Sequence, residues 1–308
     1  MDKTRSIREM VISNVNSKRS RRTDKVIPLI LLTMASVSVL TTISIVAILI
    51  TDTFKFFKEV PFFEIFGTRL APLAAEPSFG ILPLVSGTVI TSAIAMFVSI
   101  PAGLAAALYL SEFASGRQRK LLKPLLELLA GIPTIVYGFF AYSVVTPFLM
   151  KVIPSLGAKN ALSPGIVMGI MIIPLVASLS EDAMSAVPDA MREGALALGS
   201  TRLEVSFRVV IPAAISGIIA SFVLAVSRAI GETMIVTIAG GSSKNFTFDI
   251  TKSMQTMTAY IVEFTSGDAG SGTAGYYSLY AVGFLLFVFT LIMNIFAQRI
   301  SRKFREVY

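Results

Sequence analysis

Apolar residues fall in long blocks along this chain, separated by short polar segments. Crossing a hydrocarbon core takes about 20 apolar residues in a helix. Six blocks approach or exceed that length with little or no charge: 26–50, 84–110, 125–150, 165–179, 217–238 and 279–297, the fourth being short. No block alternates with period 2, so a helical bundle is expected and not a barrel. The pattern predicts an all-α polytopic membrane protein with six transmembrane helices. It divides the chain into a basic arm over 1–25, a first transmembrane helix over 26–50, an outer loop over 51–83, a transmembrane core over 84–298 and a tail over 299–308. Two long loops interrupt the core, an inner one over 180–214 and an outer one over 239–275.

Prolines sharpen the picture of the spans. Pro101, Pro133, Pro147 and Pro174 all fall inside apolar blocks. Membrane helices tolerate proline where neighbours or cavity water satisfy the freed carbonyls. Gly131-Ile132-Pro133 and Pro174 are expected to kink the third and fourth spans. Lys123 and Glu127, four apart at the start of the third span, are placed to pair on one helix face.

The two loops have readable local grammar. The outer loop 51–83, rich in Phe and Pro, is expected to be ordered against the bundle. In 239–275, Met257, Ile261 and Phe264 fall at helical spacing between glycine-rich ends, which predicts a short helix at the outer face. In 180–214 the pattern predicts two short helices joined by a glycine hinge. The first covers 189–198, with Pro188 near its first turn and Gly199 at the position after the helix end. Thr201 and Glu204 have capping-box spacing for a second helix over 202–210, and Pro212 precedes the fifth span. Met191, Ala195 and Leu198 form an apolar stripe for which the chain offers no evident cover, as interaction surfaces do.

Composition agrees with a membrane class. Hydrophobic residues make up 54% and charged residues 15%, against about 25% charged in soluble domains. Mean hydropathy is +0.75. The net charge of +8 is unevenly placed: the arm, the second and fourth loops and the tail hold 19 Lys and Arg, the other loops 7. The positive-inside rule then sets both termini in the cytoplasm, with the protein in the inner or cytoplasmic membrane. The charge is topogenic and implies no nucleic-acid partner. No cleavable signal is expected, because the first apolar run is too long for one. The chain has no Cys and no His, which removes thiolate and imidazole metal sites and the commonest general base.

One pair of charges stands out. Between residues 213 and 240 only Arg228 and Glu232 are charged. Four residues apart on a helix, they would share a face about 6 Å apart along the axis. A charge at mid-bilayer costs about 2.5–3.5 kcal/mol even on the lenient scale. Two readings stay open: an ion pair that fixes helix rotation, or a site lining a transport path. For the second, the planar donor fork of Arg228 suits oxyanion oxygens, and Glu232 would weaken anion affinity enough for release.

Glu193-Gly194-Ala195, three residues, Gly199, nine residues and then Val209-Val210-Ile211-Pro212 resemble the EAA loop of ABC importer permeases, E-A-A-x3-G-x9-I-x-L-P. Gly194 replaces the middle Ala, and Val209 and Ile211 replace Ile and Leu. Arg228-Ala229-Ile230-Gly231-Glu232-Thr233-Met234 is similar to the fifth-span signature of phosphate importer permeases. Gly87-Thr88, Gly131-Ile132-Pro133 and Tyr137-Gly138 also match in spacing. Met234 and the following Ile238-Ala239-Gly240-Gly241 favour the PstC-type subunit over the PstA-type.

The resemblance covers roughly 80–300 and implies a type I ABC importer permease fold. It implies a heterodimer with a PstA-type permease, two PstB-type ATPases docked on the EAA loop, and an extracytoplasmic PstS-type phosphate-binding protein. Glu193, Gly194, Ala195, Gly199 and Pro212 would couple to the ATPase, and Arg228 and Glu232 would line the substrate path. As a permease subunit the chain itself would bind no cofactor and catalyse no reaction; it has no GxxxxGK[ST], so ATP and Mg would be used by a separate partner ATPase. Import of sulfate, molybdate or phosphonate is the near alternative. An ion-driven secondary transporter is a second class, with Glu232 carrying a proton. An intramembrane enzyme is the third, and it lacks the clustered acids, His or Cys that it would need.

Overall fold

The computed structural model describes residues 18–267, 270 and 272–303. The arm before Lys18 and the end of the tail after Lys303 lie outside the described residues. The described residues are mostly helical, with one two-stranded hairpin.

The first compact unit ends at Asp52. Within it lies most of helix α1, Lys18–Glu59, whose apolar side chains from Val26 to Leu40 stand exposed. The second unit starts at Thr53 and holds everything else. The end of α1 there supplies Phe56 and Val60 to a buried cluster. A 3₁₀ turn, Phe62–Phe66, leads to a hairpin of β1, Leu70–Ala71, and β2, Ser78–Phe79, paired antiparallel with Leu70 opposite Phe79. The segment expected to be a loop over 51–83 is thus partly helix and partly hairpin. Its aromatic side chains carry the order: Phe56 sits edge-on to both Phe57 and Phe79.

Two long helices form the centre. α2, Leu82–Leu108, continues through a π-helical segment, Tyr109–Phe113. α3, Gly116–Ala130, is a separate amphipathic helix capped by Ser115 and Gln118. α4, Thr134–Phe140, and α5, Thr146–Val152, are joined by a π segment, Ala141–Val145. α6 runs over Leu162–Ser185. The third span therefore begins at Thr134, not at 125. Gly131 and Pro133 end one helix and start another, so the expected kink is a break. The fourth span is 24 residues long, because its helix continues past 179 through Glu181 and Asp182, charges that ended the apolar block in sequence.

α2 and α6 make the most extensive helix pair. A Cβ on Gly165 would lie 2.8 Å from Ile94, one on Gly169 2.7 Å from Val98, and one on Gly103 2.7 Å from Val176. The matched positions rise together along both helices, so the two run parallel. Gly165 and Gly169 form a GxxxG element, whose missing side chains let membrane helices approach closely.

The remaining helices are α7, Asp189–Ala197; α8, Arg202–Val205; α9, Ile211–Ala213; α10, Ile215–Ile230; α11, Met234–Ala239; α12, Met257–Ser266; and α13, Ala274–Lys303. A π segment, Ser206–Val210, joins α8 to α9. Pro147 and Pro212 each follow a π segment by two residues. A proline lacks the N–H that closes the normal ladder, and the widened turn absorbs the mismatch. Pro101 and Pro174 sit within continuous helices.

Among the described residues five helices are long and apolar enough to span a membrane. α10 qualifies as a sixth only together with Arg202–Ala213, from which it bends by 72°. The segment after α11 dips back into the bundle. Gln255 brings its carbonyl so close to Gly87 that a Cβ there would lie 2.3 Å away, and Thr88 Oγ1 accepts the Met257 N–H at 3.0 Å. Gly87-Thr88 thus seats this segment. α12 is the helix expected from Met257, Ile261 and Phe264, and it is docked rather than loose: Met257, Tyr260 and Phe264 are buried.

Before α12, Asp249 Oδ1 accepts from Thr251 N and Thr251 Oγ1. These bonds hold its carboxyl below the usual carboxylate range. They also orient the Ile250 and Thr251 carbonyls, which accept from Ala161, Leu162 and Gly157.

Candidate functional site

The hairpin between α6 and α10 is built by local chemistry. α7 starts after Pro188, and Asp189 in its first turn favours the helix N-terminus. It ends in a Schellman arrangement: Gly199 N–H donates to Leu196 O at 2.9 Å and Ser200 N–H to Ala195 O at 3.2 Å. Gly199 has φ +87°, the left-handed region that a Cβ disfavours. Thr201 then caps α8: its Oγ1 accepts from Glu204 N–H, while Glu204 Oε2 accepts from Thr201 N–H at 2.9 Å.

The stripe of Met191, Ala195 and Leu198 divides in two, contrary to the expectation of one uncovered face. Met191 and Ala195 pack on a cluster of Ala107, Met184, Val187, Val205 and Val210 from the same chain. Only Leu198 is fully outside, 89% exposed, accompanied by Leu196, Leu203 and Phe207. The hairpin turns back on its own helix ends, which covers the inner half of the stripe. Glu193, Gly194, Gly199 and Pro212 are exposed, and Ala195 is half-buried.

Arg192, next to Glu193, faces inward. Its guanidinium donates to Val187 O, to Met184 O at 2.7 Å, to Asp189 Oδ1 at 3.0 Å and to Glu112 Oε1 at 3.2 Å. Glu112 is in turn held by Ser111 Oγ at 2.8 Å. In sequence Arg192 reads only as a loop charge, because the Glu112 contact spans 80 residues.

A second charged cluster fixes α3. Glu181, fully buried on α6, accepts from Arg119, from Lys123 Nζ at 2.7 Å and from Ser185 Oγ at 3.1 Å. Lys123 also reaches Asp182 at 3.0 Å. The pairing of Lys123 with Glu127 expected from their spacing is not formed: α6 supplies a buried carboxylate with stronger claims on the ammonium. Glu127 instead lines a cavity of about 250 Å³ together with Lys123, Glu181, Pro174, Ser178 and Arg228.

Arg228 and Glu232 do not share a helix. α10 ends at Ile230, Gly231 is its C-cap, and α11 starts at Met234. Among the described residues no ion pair joins them. Glu232 is 8% exposed, and its Oε1 accepts from Met234 N at 3.1 Å and Ile235 N at 3.4 Å, the first free donors of α11. Its backbone carbonyl accepts from Thr258 Oγ1 at 2.7 Å. Glu232 therefore organises a break in the fifth span, while Arg228 faces the charged cavity. Tyr137-Gly138 buttresses the same region: a Cβ on Gly138 would meet Met234 O at 3.1 Å, and Tyr137 donates to Leu129 O across the Gly131–Pro133 break.

A family profile described as binding-protein-dependent transport system inner membrane component matches residues 99–306. "Phosphate transport system permease protein PstC" of Xylella fastidiosa is 34% identical over 252 residues, covering 74% of this chain and 76% of that protein. The chain is a PstC-type member of that family. "Probable ABC transporter permease protein YqgH" of Bacillus subtilis is 31% identical, covering 75% of each chain. A chain in the crystal structure of a bacterial ABC transporter involved in the import of the acidic polysaccharide alginate superposes with a TM-score of 0.63 at 15% identity, covering 94% of this chain and 99% of that one. That likeness carries the fold alone. The matched stretch contains the hairpin, the broken fifth span and the α3–α6 cluster of this permease.

Proposed function

We propose that this permease is one half of the membrane channel of an ATP-driven importer of inorganic phosphate. The observation that carries the reading is the capped helix–Gly199–helix hairpin with Leu198 projecting outward, in a chain whose relatives include PstC permeases. A PstA-type permease completes the channel. Two PstB-type ATPases supply ATP hydrolysis with Mg, one of them docking on Glu193 to Pro212, and a PstS-type protein delivers phosphate at the opposite face. The hairpin side, the N-terminus and the C-terminus face the cytoplasm, as the basic-residue bias supports.

In this reading the two charges at the broken fifth span have separate roles. Glu232 holds the break by its hydrogen bonds. Arg228, free of a carboxylate partner among the described residues, offers its donor fork to an anion passing through the cavity. The pathway then needs one weak cationic station, which an ion released on the far side requires.

The test is ATP hydrolysis by the purified complex in vesicles loaded with the phosphate-binding protein. Phosphate is expected to stimulate it and sulfate is not. Stimulation by sulfate alone overturns the substrate, and absence of any co-purifying ATPase overturns the importer.

A further inference from the structure

We propose that Arg192 is the strut that makes the coupling helix move with the second and fourth spans. This rests on the importer reading and adds a positioning residue that the motif does not contain. A helix that receives a push from a docked ATPase transmits it only if it is fixed to the spans that must move. The backbone alone fixes α7 poorly: it enters through Pro188, which has no N–H to tie it back to α6, and leaves through Gly199 in the left-handed region. Its outward face carries the exposed Leu196 and Leu198, and a Cβ added at Gly194 or Gly199 meets open space.

Arg192 supplies the fixed point. One nitrogen of its fork reaches α7's own first turn at Asp189 and the Val187 carbonyl. The other reaches the Met184 carbonyl of α6 and the Glu112 carboxylate in the π segment that ends α2. The Arg192 side chain is 17% exposed and that of Glu112 10%, so water competes little for these bonds. α2 and α6 are the parallel pair locked by Gly103, Gly165 and Gly169. A displacement of α7 is therefore passed to both as one body. Lysine cannot replace this arrangement, because one ammonium cannot span a carboxylate and two carbonyls in a plane. Charge-assisted bonds in a shielded site give the strut its stiffness.

The experiment compares uptake per ATP hydrolysed in proteoliposomes containing the whole complex. Wild type, Arg192→Lys, Arg192→Ala, Glu112→Gln and the exchange Arg192→Glu with Glu112→Arg are measured together. The strut predicts that Arg192→Ala and Arg192→Lys keep hydrolysis while uptake per ATP falls by about tenfold, within the roughly 5–150-fold range of couplings between sites. Glu112→Gln, which keeps the carbonyl bonds and the fold, gives a smaller fall in the same ratio. The exchange variant recovers none of it, because a carboxylate at position 192 has no proton to donate to the Val187 and Met184 carbonyls or to Asp189. An unchanged ratio in Arg192→Lys and Glu112→Gln, beside a wild type that couples, overturns the strut and leaves the importer standing. A wild-type complex that imports without ATP overturns the importer itself.

Discussion

Gly199 and Gly194 lie five residues apart in one hairpin, and replacing each by alanine is expected to move local stability in opposite directions. A Cβ at either position meets nothing within 4 Å, so packing drops out and only the backbone counts. At Gly199, φ +87° places alanine in the left-handed region, at about 1–2 kcal/mol. At Gly194, inside α7, alanine is favoured over glycine by about 0.8–1.0 kcal/mol. Converted to populations, Gly199→Ala should raise the open fraction of the hairpin roughly 5- to 30-fold. Gly194→Ala should lower it about fourfold. Hydrogen exchange reads this at the Gly199 and Ser200 amides, which donate to Leu196 and Ala195. The measurement uses purified permease in a lipid nanodisc. Faster exchange in Gly194→Ala, or unchanged exchange in Gly199→Ala, would refute the argument, because no side-chain contact exists to compensate.

Arg228→Ala is expected to abolish phosphate uptake while the complex still assembles, checked by co-purification and transport assays; normal uptake would end its role in the path. For the Asp249 turn the sign follows from its lowered pKa: the carboxylate's contribution is full above the usual carboxylate range and is lost as pH falls through the lower folded value. Exchange at Gly157, Ala161 and Leu162, corrected for intrinsic pH dependence, should rise in that acidic window. Asp249→Asn, which keeps an acceptor oxygen, should remove the pH dependence.

Elements set by local pattern were legible in sequence, and elements set by distant partners were not. The hairpin's cap at Thr201, its stop at Gly199 and the α12 helix all follow from spacings of a few residues, and the structure forms each of them. The start of the third span did not follow. Leucines at 121, 122, 125, 126, 128 and 129 resemble a membrane block. They belong instead to an amphipathic helix held by Glu181, a carboxylate 58 residues from Lys123. For the same reason Lys123 appeared free to take Glu127. The fifth span shows the limit most clearly, since an apolar run gives no sign of where its helix stops.

In the structure Glu232 takes a role that neither sequence reading of that run named, a cap on the first N–H groups of α11. A charge partner of Arg228 would need a negative side chain. A cap needs only an acceptor oxygen aimed at the Met234 and Ile235 N–H groups. Glu232→Gln keeps that oxygen and removes the charge; Glu232→Ala removes both and leaves buried donors unmet, at about 1–3 kcal/mol each. The break geometry therefore predicts that Glu232→Gln keeps the thermal unfolding midpoint and most of the uptake, while Glu232→Ala loses stability and transport together. A stable Glu232→Gln protein as inactive as Arg228→Ala would mean that the charge itself serves the pathway, either opposite Arg228 in another state of the cycle or as a proton carrier. Because the two variants differ in hydrogen bonding but not in charge, the comparison separates a hinge built from backbone donors from a site built from paired ions.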